Sequence, residues 1–164
     1  MLKRVVNAVR RNHALEHATI SILLSRHGPN IRVLGRAAPD GFYIYGDIPT
    51  ETLRELAQEG LARLQRGESH LAVSPLCGTN LAVAGVLAGF ASLFAMGRRT
   101  RLEGLPGVIM AAMVAVLAAQ PLGRLVQKHF TTSPELDGLR IVSVERMGRR
   151  FPHLHKVCTA PVQA

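Results

Sequence analysis

Residues 81–97, LAVAGVLAGFASLFAMG, contain a single polar side chain, that of Ser92. A second run, LPGVIMAAMVAVLAAQPL over residues 105–122, contains only Gln120. Each run is close to the roughly 17–25 residues that a helix needs to cross a bilayer. Because only a short arginine-rich segment separates the runs, the sequence predicts a two-helix transmembrane hairpin over residues 79–129.

The segments on both sides of this hairpin predict a soluble part. Residues 3–25 lack Pro and Gly and have helical apolar spacing, and the His-Gly-Pro sequence at 27–29 indicates a helix end. The segments IRVLGRAA and GFYIYGDI, separated by a Pro-Asp-Gly turn, indicate a β-hairpin. An amphipathic helix is indicated by ETLRELAQEGLARLQR, with Thr50 as its N-cap. One more strand is indicated by LRIVSVERM, whereas the tail RRFPHLHKVCTA has no clear period. The predicted fold class is therefore α+β: a small basic α/β soluble domain, residues 1–78 and 130–164, interrupted by the hairpin.

The net positive charge of the chain indicates which classes of partner it suits. A formal net charge of +9 suits contact with the anionic head groups of a lipid bilayer, where each basic residue contributes about 1 kcal/mol. Nucleic acid is the other partner that such a charge suggests. It is disfavoured because two Tyr, five Phe and no Trp leave few side chains for base stacking.

The cellular location follows from weaker features. The N-terminal segment MLKRVVNAVRRNHALEH places charges where a signal peptide needs an uninterrupted apolar core. The basic residues on the two sides of the hairpin, which include Arg98, Arg99 and Arg101 in the connection, nearly balance under the positive-inside rule. We expect a two-pass protein of the bacterial inner (cytoplasmic) membrane with a cytoplasmic soluble domain, because no export signal precedes that domain. Cys77 and Cys158 do not make a disulfide framework, in agreement with a reducing compartment.

The motif that carries chemistry is HALEH, within RNHALEHATI at residues 11–20. His13 and His17 are four residues apart, so on a helix they project from one face and offer two imidazole nitrogens to one metal ion. Glu16 lies beside them and is placed to take a proton from a water that the metal activates. This arrangement, H-x-x-E-H, is the inverted zinc motif.

Such a metal needs a third ligand. Cys77 in PLCGTN is the first candidate, because a Cys in a Gly-containing loop complements two His of one helix. The sequence does not select between it and the remaining candidates, which are Glu68 and His70, then His153, His155 and Cys158.

Structural interpretations of the same residues stay open. The two motif histidines also fit a helix packed at a membrane surface, with the imidazoles bound to backbone or to Glu16. Cys77 could equally serve as a small buried apolar residue, and the tail residues His153 and His155 could lie at the surface. In the hairpin, small residues recur at four-residue spacing, which lets helices approach closely; these are Gly85 and Gly89 in the first run and Ala111, Ala115 and Ala119 in the second.

Two local resemblances and one broad one add to these patterns. HALEH is similar to the active-site helix of pitrilysin and insulinase-type peptidases, which implies metal ligands at His13 and His17 and a base at Glu16. The set of two helix histidines and a loop Cys is similar to that of peptide deformylase, which implies Cys77 as the third ligand. Over nearly the whole chain, the blocks RNHALEHATI, GESHLAVSPLCGTN and TTSPELDGLRIVSVERM resemble a family of uncharacterised small bacterial membrane proteins, found especially in cyanobacteria and green non-sulfur bacteria.

The sequence thus supports two functional hypotheses. The first is a membrane-anchored, zinc-dependent, peptidase-like hydrolase, in which the motif histidines and Cys77 bind the metal and Glu16 is the catalytic general base. The alternative is a non-catalytic accessory or assembly subunit of a bacterial membrane complex, whose partner helices pack against Gly85 and Gly89. In the alternative, His129 at the end of the second run is the best-placed residue for a pigment or haem, although neither run contains a His.

Overall fold

The computed structural model describes residues 1–97, 101–148 and 153–162 of the chain, without the side chains of 101–103. The chain divides into two compact units. The mixed unit comprises Met1–Ser74 and Phe130–Ala164, and the hairpin unit comprises Pro75–His129. The solvated charges expected of Arg98, Arg99 and Arg101 fall outside the described side chains.

The mixed unit begins with a long helix. Helix α1 spans Leu2–His27 and ends where Gly28 adopts a φ of 82° and donates its N–H to the Leu24 carbonyl at 2.9 Å. A positive φ costs glycine least, because it has no Cβ. The helix predicted for residues 3–25 is therefore confirmed together with its stop sequence.

A β-hairpin and a second helix follow α1. Strand β1, Val33–Ala38, pairs antiparallel with β2, Gly41–Gly46, as the Pro-Asp-Gly turn predicts. Helix α2 spans Thr50–Gln65 and leads into a short 3-10 turn at Ser69–Ala72. The predicted N-cap is wrong, because Pro49 holds that position and Thr50 is the first helical residue.

Strand β3, Leu139–Met147, is confirmed over the predicted segment, but the tail after it also forms a strand, β4, Leu154–Pro161. The sheet order is β1-β2-β4-β3, all antiparallel, so β4 is an interior strand. The sequence does not show the apolar alternation of a strand here, because one of the two inward-facing side chains is polar. These side chains, His155 and Val157, are both fully buried. The tail, for which the sequence shows no clear period, therefore contains a strand.

Helices α1 and α2 both pack on this sheet and on each other, which creates the core of the mixed unit. Their closest approach places Gly60 of α2 against Ala18 of α1, where a Cβ on Gly60 would lie 3.3 Å from the Ala18 Cβ. Each fully buried aliphatic or aromatic side chain contributes about 1.5–3 kcal/mol. The largest of them in this core are Leu15, Ile22, Phe42, Ile44, Leu53, Leu56 and Leu136.

The hairpin unit consists of two packed helices. Helix α3 spans Gly78–Met96, and α4 spans Arg101–Val126 and continues into a π turn, Gln127–Thr131. Among the described residues, these two helices are long and apolar enough to cross a membrane. Together with the mixed unit they give the predicted α+β fold class.

The contact between α3 and α4 uses small residues, but only part of the predicted set. Ala111, Ala115 and Ala119 lie on the less exposed side of α4. By contrast, Gly85 and Gly89 are exposed, and a Cβ at either would meet no atom of the described residues within 4 Å. These two glycines therefore do not make a close approach to α4.

One close approach in the hairpin unit involves a buried polar pair, Asn80 and Gln127. A Cβ on Gly123 would lie 2.2 Å from Oδ1 of Asn80, so only glycine fits there. The Asn80 side chain also accepts a hydrogen bond from Nε2 of the fully buried Gln127 at 2.8 Å and donates one to the Pro75 carbonyl at 2.9 Å. These bonds satisfy amide groups that would otherwise be costly to bury.

Candidate metal centre

His13 and His17 lie on adjacent turns near the middle of α1. Their ring centroids are 4.3 Å apart, with the planes tilted by 59°. His17 is buried and His13 is half-buried, because this part of α1 packs into the mixed unit whereas the first two turns do not. The helix therefore holds two imidazoles side by side in a partly desolvated position, as the four-residue spacing predicts.

Backbone carbonyls orient both rings. Nδ1 of His13 lies 2.9 Å from the Thr131 carbonyl oxygen, and Nδ1 of His17 lies 2.8 Å from the Ala72 carbonyl oxygen. A carbonyl only accepts, so each Nδ1 carries the proton and donates it. In the neutral rings the lone pair is therefore on Nε2, the atom that binds a metal. Metal-binding histidines are commonly held by this second hydrogen bond.

Glu16 lies between the two histidines in sequence and is buried. Its carboxylate packs against β1, where a Cβ on Gly35 would lie 1.9 Å from Oε1 of Glu16. Only glycine at this strand position leaves room for the carboxylate. Sequence reasoning missed Gly35, although an isolated glycine inside a predicted strand often marks a close approach of another group.

Cys77 belongs to the hairpin unit, where it is the N-cap of α3. Its sulfur accepts a hydrogen bond from the Thr79 N–H at 3.4 Å, and the side chain is half-buried. No disulfide joins Cys77 to Cys158.

The other candidate ligands are engaged elsewhere or exposed. Glu68 binds the guanidinium of Arg63 at 2.6 Å, and the hydrogen bond from Arg63 lowers the pKa of this carboxyl. His70 is exposed on the 3-10 turn. His153 accepts a hydrogen bond from Arg146 at 2.8 Å. Cys158 sits in β4 opposite Gly41 of β2.

His155 is also not a surface residue, contrary to expectation, because it is fully buried between the sheet and α2. Its Nε2 lies 3.1 Å from the Thr50 hydroxyl, whereas its buried Nδ1 has no hydrogen-bond partner among the described residues. Burial lowers the pKa of His155, and the nearby His153 and Arg146 lower it further. His155 is therefore a neutral core residue.

This burial predicts acid sensitivity. A histidine whose pKa is lower in the folded state takes up a proton first in the unfolded state, so unfolding becomes easier as the pH falls below about 6.5. We expect the unfolding free energy to decline below that pH with a slope of at most about 1.4 kcal/mol per pH unit from this group. His155→Gln should flatten the decline measured by thermal unfolding in detergent, whereas His27→Gln, at the exposed end of α1, should not. An unchanged pH profile in His155→Gln would contradict this assignment.

The fold and these residues define a small α+β protein that carries a histidine pair on its first helix and a two-helix apolar unit of membrane-spanning length. The chain belongs to the DUF6391 family, a domain of unknown function, whose model matches residues 8–144. It is 33% identical over 142 residues to an uncharacterised protein of Picosynechococcus sp., an alignment that covers 79% of this chain and 68% of the relative. No solved structure matches the chain.

Proposed function

We propose that the protein is a membrane-anchored, zinc-dependent hydrolase of the peptidase type, with its metal on the HALEH helix. The observation that carries this proposal is the orientation of His13 and His17. Both rings donate their Nδ1 proton to backbone carbonyls and so present an unprotonated Nε2, with ring centroids 4.3 Å apart. Metal-binding histidines are commonly held in this tautomer by such a second hydrogen bond, which supports the proposal.

The proposed third ligand is Cys77. The N-terminus of α3 carries a positive partial charge that favours a thiolate, the form in which Cys binds metals. Cys77 follows Ala72, whose carbonyl binds His17, by only five residues, a segment that spans at most about 18 Å. His13, His17 and Cys77 are thus the three residues that we propose as ligands of one metal ion. A set of two imidazoles and one thiolate suits zinc.

Glu16 is the proposed general base. Zinc held by the three proposed ligands would polarise a carbonyl and lower the pKa of a water towards ~7. The role of Glu16 is to accept the proton as water attacks and to return it to the leaving amine. Burial against Gly35 holds this carboxylate in one place, which is what a positioned base requires. The similarity of HALEH to the pitrilysin-type motif supports the same assignment.

The proposed location is the bacterial inner membrane, with α3 and α4 as two spans and the mixed unit in the cytoplasm. The apolar length of both helices and the net charge of +9 support a bilayer with anionic head groups as the partner. A hydrolase in this position would act on substrates at or near the membrane surface.

Metal content tests the proposal first. Full-length protein purified in detergent without chelators should contain about one zinc ion per chain by mass spectrometry. His13→Ala, His17→Ala and Cys77→Ser should each lose most of it, because two ligands bind zinc far more weakly than three. His27→Ala, on the exposed end of the same helix, is the matched control and should keep its zinc. Wild-type protein without zinc would refute the metal centre, and zinc retained in Cys77→Ser alone would refute Cys77 as a ligand.

A non-catalytic subunit of a membrane complex is the second candidate, and the outward position of Gly85 and Gly89 favours it. Both glycines leave open space beside α3, the geometry in which a partner helix approaches closely. Gly85→Leu and Gly89→Leu should then break an assembly seen by native electrophoresis without unfolding the hairpin. Gly123→Leu should instead disrupt the hairpin itself, since Asn80 occupies that space. A wild-type chain that is monomeric in membranes and lacks partners would refute this candidate.

A further inference from the structure

The first turns of α1 have an unusual orientation for an amphipathic helix. Leu2, Val5 and Val6 lie on one face, because positions three and four apart share a side. These side chains are 77%, 41% and 48% exposed, respectively. In a soluble protein the apolar face of such a helix is normally the one that is buried.

The opposite face is polar and turns towards the mixed unit. Arg4, Asn7 and Arg11 share this face and help to line a cavity of about 260 Å³ beside the end of β4. Arg11 donates a hydrogen bond to the Asp137 carbonyl at 2.5 Å, and Arg10 donates one to the Thr132 carbonyl at 3.0 Å. These bonds fix the rotation of α1 about its axis, so its apolar face is held outward.

Basic residues border the apolar face. A shallow hollow of about 570 Å³ runs along one flank of the helix and combines three cations with the edge of the apolar face. It is lined by Leu2, Lys3, Arg4, Val6, Asn7 and Arg10. No acidic residue lies among residues 1–15, so this part of the helix carries only positive side-chain charges.

We propose that residues 1–11 form a surface anchor for anionic phospholipid. Leu2, Val5 and Val6 enter the boundary of the acyl chains, while Lys3 and Arg4 bind the phosphate of a head group in the flanking hollow. Charge complementarity selects lipid over an ordinary protein partner, because the surface joins a narrow apolar strip to the cations Lys3 and Arg4, the pattern of interfacial helices. The anchor shares with the proposed hydrolase only the placement of the chain at a membrane, and it does not depend on the metal.

The absence of Trp from the chain permits a direct test. Val6→Trp places a single fluorophore on the exposed apolar face, and Gln58→Trp places one on the exposed side of α2 as a matched control. Full-length variants are reconstituted into phosphatidylcholine vesicles with and without phosphatidylglycerol, each with brominated acyl chains as quencher. Circular dichroism should show both variants folded as the wild type.

We expect emission from Val6→Trp to shift to the blue and to be quenched by brominated chains, more strongly with phosphatidylglycerol present, while Gln58→Trp responds less. Adding Lys3→Gln and Arg4→Gln should weaken association of the segment roughly fivefold for each cation removed. Solvent-like emission in both vesicles, equal quenching with and without phosphatidylglycerol, or a blue shift without bromine quenching would each overturn the proposal. A metal-free protein with a quenched Val6→Trp would refute the hydrolase and leave the anchor standing.

Discussion

Glu16→Gln is expected to lower hydrolysis of a mixed-sequence fluorogenic peptide library by roughly 10²- to 10⁴-fold while zinc content stays that of the wild type. Glutamine has nearly the shape of glutamate, so it fits the space against Gly35 and leaves α1 intact. It cannot accept a proton from water at neutral pH. Because the proposed ligands are His13, His17 and Cys77, removing the carboxylate leaves all of them in place.

The contrast with the histidine variants makes this result informative. His13→Ala is expected to lose activity and zinc together, whereas Glu16→Gln loses activity alone. Glu55→Gln, on the exposed side of α2, is the control for a general effect of removing a negative charge. A Glu16→Gln protein with full activity would remove Glu16 as the base, and one that has lost its zinc would make it a ligand instead.

The parts of the fold that could be predicted are those encoded by neighbouring residues. The stop at Gly28, the Pro-Asp-Gly turn and the two apolar runs each act locally, and the corresponding elements are present. Strand β4 was missed because His155 is a polar residue that is buried in the sheet. Its imidazole is bound there by the hydroxyl of Thr50 in α2. That partner lies 105 residues away in the chain, so no local pattern could indicate it.

In the candidate site, too, some features are encoded by neighbouring residues and others depend on residues far away in the chain. HALEH is a local pattern, and its spacing correctly places His13 and His17 side by side on one helix. The carbonyls that set their tautomers belong to Ala72 and Thr131, 55 and 118 residues away, and any residue type can supply a carbonyl. Sequence therefore identifies groups that bind or react, whereas the groups that orient them emerge only from the fold.

The contacts of small residues in the hairpin show the same limit of sequence patterns. Small residues at four-residue spacing show that a close approach is sterically allowed, but not which surface makes it. In the hairpin unit a close approach falls at Gly123, where the Asn80 side chain takes the space, whereas Gly85 and Gly89 meet no atom of the described residues. The polar partner of Gly123 is what distinguishes the positions, and its pairing is again non-local.

Gly35→Ala is expected to damage both the stability of the mixed unit and the activity of the protein. The new Cβ would lie 1.9 Å from Oε1 of Glu16, closer than any real contact, and the carboxylate is buried, so it has little room to move away. Overpacking of this kind costs about 1–3 kcal/mol. The displaced carboxylate should also lose its role as base, so activity should fall about as far as in Glu16→Gln.

A double-mutant cycle separates the two effects of this substitution. Combining Gly35→Ala with Glu16→Ala should recover much of the lost stability in thermal unfolding, because truncation of the glutamate frees the space, yet activity should stay absent. Gly46→Ala is the matched control: its Cβ would meet a Val33 methyl at 2.8 Å, so it should cost stability without abolishing activity.

If Gly35→Ala were as active as the wild type, Glu16 would not need the position it occupies against β1. If stability and activity instead recovered together in the double variant, which has no carboxylate at position 16, Glu16 would be a structural group rather than the base.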